Sequence, residues 1–158
     1  MNYVQQLRQI PVYNKYFSNT DEKTYDNLGK TAKEVQQSLN ISKSLIYVNR
    51  KRLKNKLDYV EKVERLKTLT KEQLLDEKPY FVNSRLYYTF KSMDKDTYRK
   101  VLDTKVQELL RMPNFGPGSI PVLFQELKYV GFDESDFSNF LKPNQVLEKV
   151  EVYKLSYK

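Results

Sequence analysis

The chain has no cysteine, no histidine and no tryptophan among its 158 residues, and only 4 glycines and 6 prolines. Without cysteine there is no disulfide, no thiolate metal site and no cysteine nucleophile. Without histidine the commonest general base and the commonest transition-metal ligand are both missing. Catalysis would have to rest on carboxylates, Tyr, Lys or Ser, so the chain is read as a non-enzyme with no cofactor and no metal. No apolar run reaches the roughly eighteen residues that a membrane helix needs, so no span is expected. The first residues, MNYVQQLRQIPVYNKY, lack the layout of a secretory signal. A cytoplasmic, nucleoid-associated location is the expectation.

What is present is charge, and more of one sign. The formal net charge is +8, and residues 1–78 hold 16 Lys/Arg against 10 Asp/Glu, whereas the rest holds 12 against 10. A basic first half fits a polyanionic partner, and a lysine-rich solvated surface is the plainer reading. The length suits one medium domain or two small ones, and 39% apolar residues can build a core.

Helical signals dominate. Residues 1–19, rich in Tyr and Asn and containing Pro11, read as a short strand or loop. TDEKTYDNL reads as a helix capped by Thr20 and stopped by Gly29. Leu53, Leu57, Val60 and Val63 recur at helical spacing, so one long helix or two shorter ones should reach about Leu75. A boundary is expected near Asp76–Pro79, because Pro79 biases Lys78 away from helical backbone. FVNSRLYYTFKSM, DKDTYRKVL, DTKVQELLRM and SIPVLFQELKYV follow as helices, the last closed by Gly131. VEVYKLSYK alternates apolar and polar residues and reads as a strand.

Residues Thr31 to Leu53 carry a specific pattern. Thr31 and Glu34 have the spacing of a capping box. Ala32, Val35 and Leu39 share a helix face. Asn40 stands where a left-handed turn residue is wanted, Ile41 would be buried, and Ser42 would cap the next helix. Leu45, Ile46 and Leu53 would point inward, leaving Lys43, Ser44, Tyr47, Asn49 and Arg50 turned outward. Between Glu34 and Asp58 there is no acidic residue, yet Lys43, Arg50, Lys51, Arg52, Lys54 and Lys56 are basic. AKEVQQSLNIS followed by KSLIY resembles the bacterial helix-turn-helix family, whose second helix meets base edges while its flanks meet phosphates. The resemblance implies base contact by Lys43, Ser44 and Tyr47, and phosphate contact by Ser42, Arg50, Lys51, Arg52 and Lys54. An ordinary helical hairpin with a solvated basic face is the alternative.

The stretch RMPNFGPGSIP holds two of the four glycines and three of the six prolines. Following TKVQELL, it reads as a hairpin in which Ser119 caps the next helix, Pro121 sits in that helix's first turn, and Phe115 and Ile120 plug inward. A helix start of this kind can meet a phosphate through backbone amides. From about Val82 to Phe132, with FVNSRLYYTFKSM and LLRMPNFGPGSIPVLFQELKYVG, the chain resembles the C-terminal domain of the bacterial RNA polymerase alpha subunit. That resemblance implies a compact helix-hairpin-helix fold that meets AT-rich DNA in the minor groove and also contacts activators. It makes Arg85 the minor-groove arginine and Asn114, Gly116 and Ser119 the hairpin contacts. Gly118 and Pro117 stand where the family commonly has basic residues, and Tyr88 where it often has Asn. This second surface, with Tyr88 and Gly118 included, would meet either DNA or a protein.

Two acidic groups carry less. Asp94, Asp96 and Asp103 lack the loop chemistry of a calcium site. Asp133, Glu134 and Asp136 would cap a last short helix. The expectation is therefore an all-α chain with a helix-turn-helix domain over 1–77, a helix-hairpin-helix domain over 78–145, and a tail over 146–158 forming a strand. The expected activity is sequence-specific binding of double-stranded DNA by a small bacterial or phage transcription regulator, which a homodimer would suit. The alternatives are an adaptor that binds RNA polymerase or an activator, and a DNA-organising or replication-initiation protein.

Overall fold

The structure is a computed structural model, and it describes residues 1–138; the expected strand over 146–158 lies outside the described residues. Nine α-helices and two 3-10 turns, with no strand, make up the described residues, so the fold is all-α. The described residues form two compact units, divided between Lys62 and Val63.

The first unit opens with helix α1, Tyr3–Arg8, and a 3-10 turn, Pro11–Tyr13, where a strand or loop is expected from the sequence. The reason is local. Asn2 Oδ1 accepts from the Gln5 amide at 2.8 Å, and Gln5 Oε1 accepts from the Asn2 amide at 2.7 Å, closing a reciprocal cap. Val4 and Leu7 lie three apart on one buried face. Pro11 occupies the first position of its turn, where a missing N–H costs little.

Helix α2 runs Asn19–Asp26. Its cap is Ser18, not Thr20, because Ser18 and Asp21 exchange backbone-to-side-chain bonds of 3.2 and 2.8 Å. It ends before Gly29, with Asn27 closing the last turn. Asp21 is 4% exposed and accepts from Lys56 Nζ at 2.6 Å. Burial pushes the Asp21 pKa up, but the Lys56 ammonium and the Ser18 donors outweigh it and hold the carboxyl below its ordinary value. This link fastens α2 to helix α4, which runs Lys43–Leu66.

The second unit begins within α4, at Val63 rather than near Asp76–Pro79. Three ties explain the earlier border. The Tyr129 hydroxyl donates to Glu64 at 2.5 Å, Lys71 bridges Asp133 and Asp136 at 3.2 and 3.0 Å, and the Leu74 methyl lies 3.6 Å from the position of a Cβ on Gly131. After α4 come α5 (Lys71–Leu75), α6 (Ser84–Ser92), α7 (Tyr98–Leu102), α8 (Val106–Leu110) and α9 (Ser119–Val130), then a 3-10 turn, Glu134–Phe137. Thr70, Asn83, Thr97 and Asp133 each accept a backbone amide at an element start. Helix α9 buries Ile120, Leu123, Phe124, Leu127 and Val130, while Gln125 and Lys128 stay exposed. Gly131, at φ 129, closes it in a conformation that side chains rarely adopt.

Candidate nucleic-acid interface

Helix α3, Ala32–Leu39, is joined to α4 by a three-residue turn. Thr31 Oγ1 accepts from the Glu34 amide at 3.2 Å. Asn40 takes the left-handed conformation, φ 52 and ψ 45. Ser42 Oγ then accepts from the Leu45 amide at 3.2 Å and starts α4. Ala32, Val35 and Ile46 form a small buried cluster with Ile41 packed against it.

The inward stripe of α4 is Ile46, Asn49, Leu53, Val60 and Val63. This corrects two expectations. Asn49 is buried and Leu45 is exposed; Leu39 is exposed as well. At about 100° per residue, a stripe centred on Ile46, Asn49 and Leu53 turns Leu45 well to one side. Leu39, the last residue of α3, is exposed although it adjoins Val35, Ile41 and Ile46 around one small cavity.

The opposite face of α4 is open. Ser44, Val48, Lys51 and Asn55 follow one another at spacings of four, three and four residues, a single outward line, with Tyr47 and Lys54 on one flank and Arg52 on the other. All are exposed, Tyr47 at 56%. Ser42 and Lys43, at the helix start, are exposed as well. Among the described residues Lys43, Lys51, Arg52 and Lys54 have no carboxylate partner. Arg50 differs: its guanidinium donates to the Lys30 carbonyl at 2.8 Å and the Asn27 carbonyl at 3.5 Å, so it fastens the loop before α3 and is only partly exposed. Val48 and Asn55 belong to the outward line although the sequence pattern did not single them out. The i, i+4, i+7 spacing from Ser44 was the signal that could have found them.

In the second unit, Arg85 and Tyr88 project from α6 and Asn114 from the turn after α8. The three line one surface groove of about 500 Å³ together with Ser84, Thr89, Ser92, Met112 and Pro113. Arg85 and Asn114 are exposed, and Tyr88 is 63% exposed. Asn114 carries the left-handed conformation of the turn, φ 63.

The hairpin itself is arranged differently from the expectation. Gly118 precedes α9 with ordinary right-handed backbone, φ −65, and no side chain caps the helix, so Ser119 is its buried first residue rather than its cap. The Ser119 and Ile120 amides donate to the Gly116 and Pro117 carbonyls at 3.0 and 3.2 Å. Pro121 has no N–H to offer. The donors at this helix start hold the hairpin's own shape. Gly116, Gly118 and Ser119 do not line the Arg85 groove, while Phe115 and Ile120 plug inward as the pattern implied.

The start of α6 is fixed by a buried acid. Glu126 on α9 accepts from the Val82 amide at 2.5 Å and from the Asn83 amide at 3.1 Å. Burial raises the Glu126 pKa and the two amides hold it down, leaving it at about 7. Two further acids act locally. Asp133, whose pKa is held at about 2 by the Ser135 hydroxyl and Lys71, caps the last turn, and Asp96 pairs with Lys100 at 2.7 Å. Among the described residues no group of acids is placed to hold a metal ion, and no helix is long and apolar enough to cross a membrane.

No protein-family model, no curated protein and no solved structure matches the chain.

Proposed function

We propose that the chain binds double-stranded DNA with sequence preference, as a small transcription regulator. The outward line of α4 carries the reading. A helix of 24 residues is about 36 Å long, and its first turns are wide open beyond the α3 turn. A major groove about 12 Å across accepts such a helix. Lys43, Ser44, Tyr47 and Val48 then face base edges, where Val48 suits a thymine methyl and Lys43 a guanine. Lys51, Arg52 and Lys54 lie one to two turns further on, without carboxylate partners to release before meeting phosphates. Ser42 adds a hydroxyl at the helix start. Arg50 is reassigned: its bonds to the Asn27 and Lys30 carbonyls make it a positioning residue for the α3–α4 turn. No cofactor and no catalytic step belong to this reading.

The groove of Arg85, Tyr88 and Asn114 supplies a second contact. An arginine beside an aromatic ring and an amide suits a narrow minor groove, whose potential attracts the guanidinium.

Selection of bound sequences from random duplex DNA tests the proposal. A defined motif should be enriched. Ser44→Ala and Tyr47→Ala should then change preference at individual positions, at about 1–3 kcal/mol per base, whereas Lys54→Ala should weaken all sequences alike. Absence of any enriched motif, with binding equally weak to every duplex, overturns it.

One observation favours a second reading. Leu39, Leu45 and Val48 are exposed apolar side chains around the same helix start, and such clusters suit protein partners. An adaptor for RNA polymerase or an activator would use them. Capture of purified polymerase that survives nuclease treatment and is lost in Leu45→Asp supports this reading over the first.

A further inference from the structure

The second unit contains another cavity, of about 210 Å³, that shares no lining residue with the Arg85 groove. Phe81 and Phe90 close its floor and show only small edges to it, at 3% and 1% exposure. Both are buried, and their rings stack with centroids 5.1 Å apart and 22° between planes. Tyr87 forms a wall, with the Lys91 ammonium 5.6 Å from its ring centre. The turn after α6 shapes the rim. Asp94 adopts φ 56, its amide donates to the Lys91 carbonyl at 3.1 Å, and the Lys95 amide donates to the Phe90 carbonyl at 3.0 Å. This is the double bond of a Schellman turn, and it fixes where Lys91 and Lys95 leave the backbone.

The rim is cationic. Lys78, Lys91 and Lys95 line it, and among the described residues none of them pairs with a carboxylate. Asp96 is already neutralised by Lys100, which leaves Asp94 as the rim's opposing charge among the described residues. Size narrows the ligand. Pockets for drug-sized molecules start at about 300 Å³, so this one encloses less than a nucleotide. A cavity of about 150 Å³ accepts benzene, so this one holds a single ring with a small substituent. The Tyr87 wall and three ammonium groups specify what that substituent is.

We propose that this cavity binds a monocyclic aromatic carboxylate, with its ring along Tyr87 and the small open edges of Phe81 and Phe90 and its carboxylate among Lys78, Lys91 and Lys95. The site is independent of the DNA-binding reading, since it uses different residues and a different face of α6. Lysine ammoniums supply charge-assisted hydrogen bonds to the carboxylate, and the ring gains burial that water cannot offer.

Titration of the full chain with phenylacetate, followed by amide NMR, tests it, with benzylamine as the benzyl analogue of opposite charge. Saturable shifts are expected for amides of residues 78–81 and 87–96 with phenylacetate and none with benzylamine. The double variant Lys91→Gln, Lys95→Gln should bind about tenfold or more weakly, with little change in melting because Lys91 is exposed, Lys95 is half-buried and neither pairs with a carboxylate among the described residues. Three results overturn the proposal: no saturable shift at millimolar phenylacetate, equal binding of benzylamine, or undiminished binding by the double variant. Saturation by a blocked Asp-Phe-Asp peptide without any by phenylacetate also overturns it, in favour of a protein ligand.

Discussion

Glu126 lies between opposing influences. It is 6% exposed, which favours the neutral acid, yet both of its oxygens accept backbone amides, which favours the carboxylate. Its pKa of about 7 stands above the ordinary 4.5, so burial prevails. An acid whose folded pKa is raised keeps its proton in the native state while the unfolded chain has lost it. Stability from this group is therefore complete below pH 4.5, declines as pH rises toward 7, and levels off above. The decline amounts to about 3 kcal/mol at 1.36 kcal/mol per pKa unit. Glu126→Gln removes the titration and sets an amide N–H₂ against a backbone N–H, which costs about 1–2 kcal/mol. Urea unfolding should show the variant less stable than the natural chain at pH 5 and level with it or ahead at pH 8. A gap that widens with pH would mean that the two amides prevail and the carboxylate is held ionised. The charge of this one residue matters to the candidate site because its oxygens hold the backbone entering α6, the helix of Arg85 and Tyr88.

At the level of elements, the α3–α4 turn is the feature whose geometry was most legible. Thr31, Asn40 and Ser42 are short-range signals, since a cap or a left-handed residue acts on bonds three or four positions away. The structure forms each of them. Asn40→Gly should be neutral or slightly stabilising, because glycine adopts φ 52 without a Cβ penalty. Asn40→Ala should cost about 1 kcal/mol, measured as a lower urea midpoint with unchanged slope. If alanine were tolerated as well as glycine, the left-handed turn would not be present in solution. Which residues face outward was less legible. Asn49 looked polar enough to be outside, and Leu45 apolar enough to be inside, but the stripe set by Leu53, Val60 and Val63 reverses both. Helix α1 was missed because Pro11 and the Tyr and Asn around it resemble loop composition, while its stability comes from an Asn2–Gln5 cap and two buried residues. The unit border was misplaced for a tertiary reason: Leu74, Lys71 and Glu64 find their partners about sixty residues away, near Tyr129–Asp136. The meeting of Arg85 and Asn114 at one groove is equally non-local. Spacing within the chain could not give it; only the resemblance to a helix-hairpin-helix domain suggested it.

For the whole molecule, the two units each present a surface to the same polyanion under the proposed reading, and the covalent chain makes the second encounter intramolecular. A weak contact through Arg85 then strengthens overall binding more than its own affinity suggests. The uneven charge makes the contributions separable. If about six phosphates are met in all, the logarithm of affinity should fall against the logarithm of salt with a slope near −5. Replacing Lys51, Arg52 and Lys54 by alanine together should make that slope shallower by about 3, since each phosphate contact releases about 0.9 of a counterion. Arg85→Ala should reduce it by about 1, with the largest loss of affinity on sites flanked by A-tracts, whose narrow minor groove attracts arginine. Fluorescence anisotropy on one duplex across 50–300 mM salt measures all three slopes. A triple variant with the original slope would remove α4 from the interface. An Arg85→Ala slope and A-tract preference identical to those of the natural chain would confine DNA contact to the first unit and leave the Arg85 groove to a protein partner.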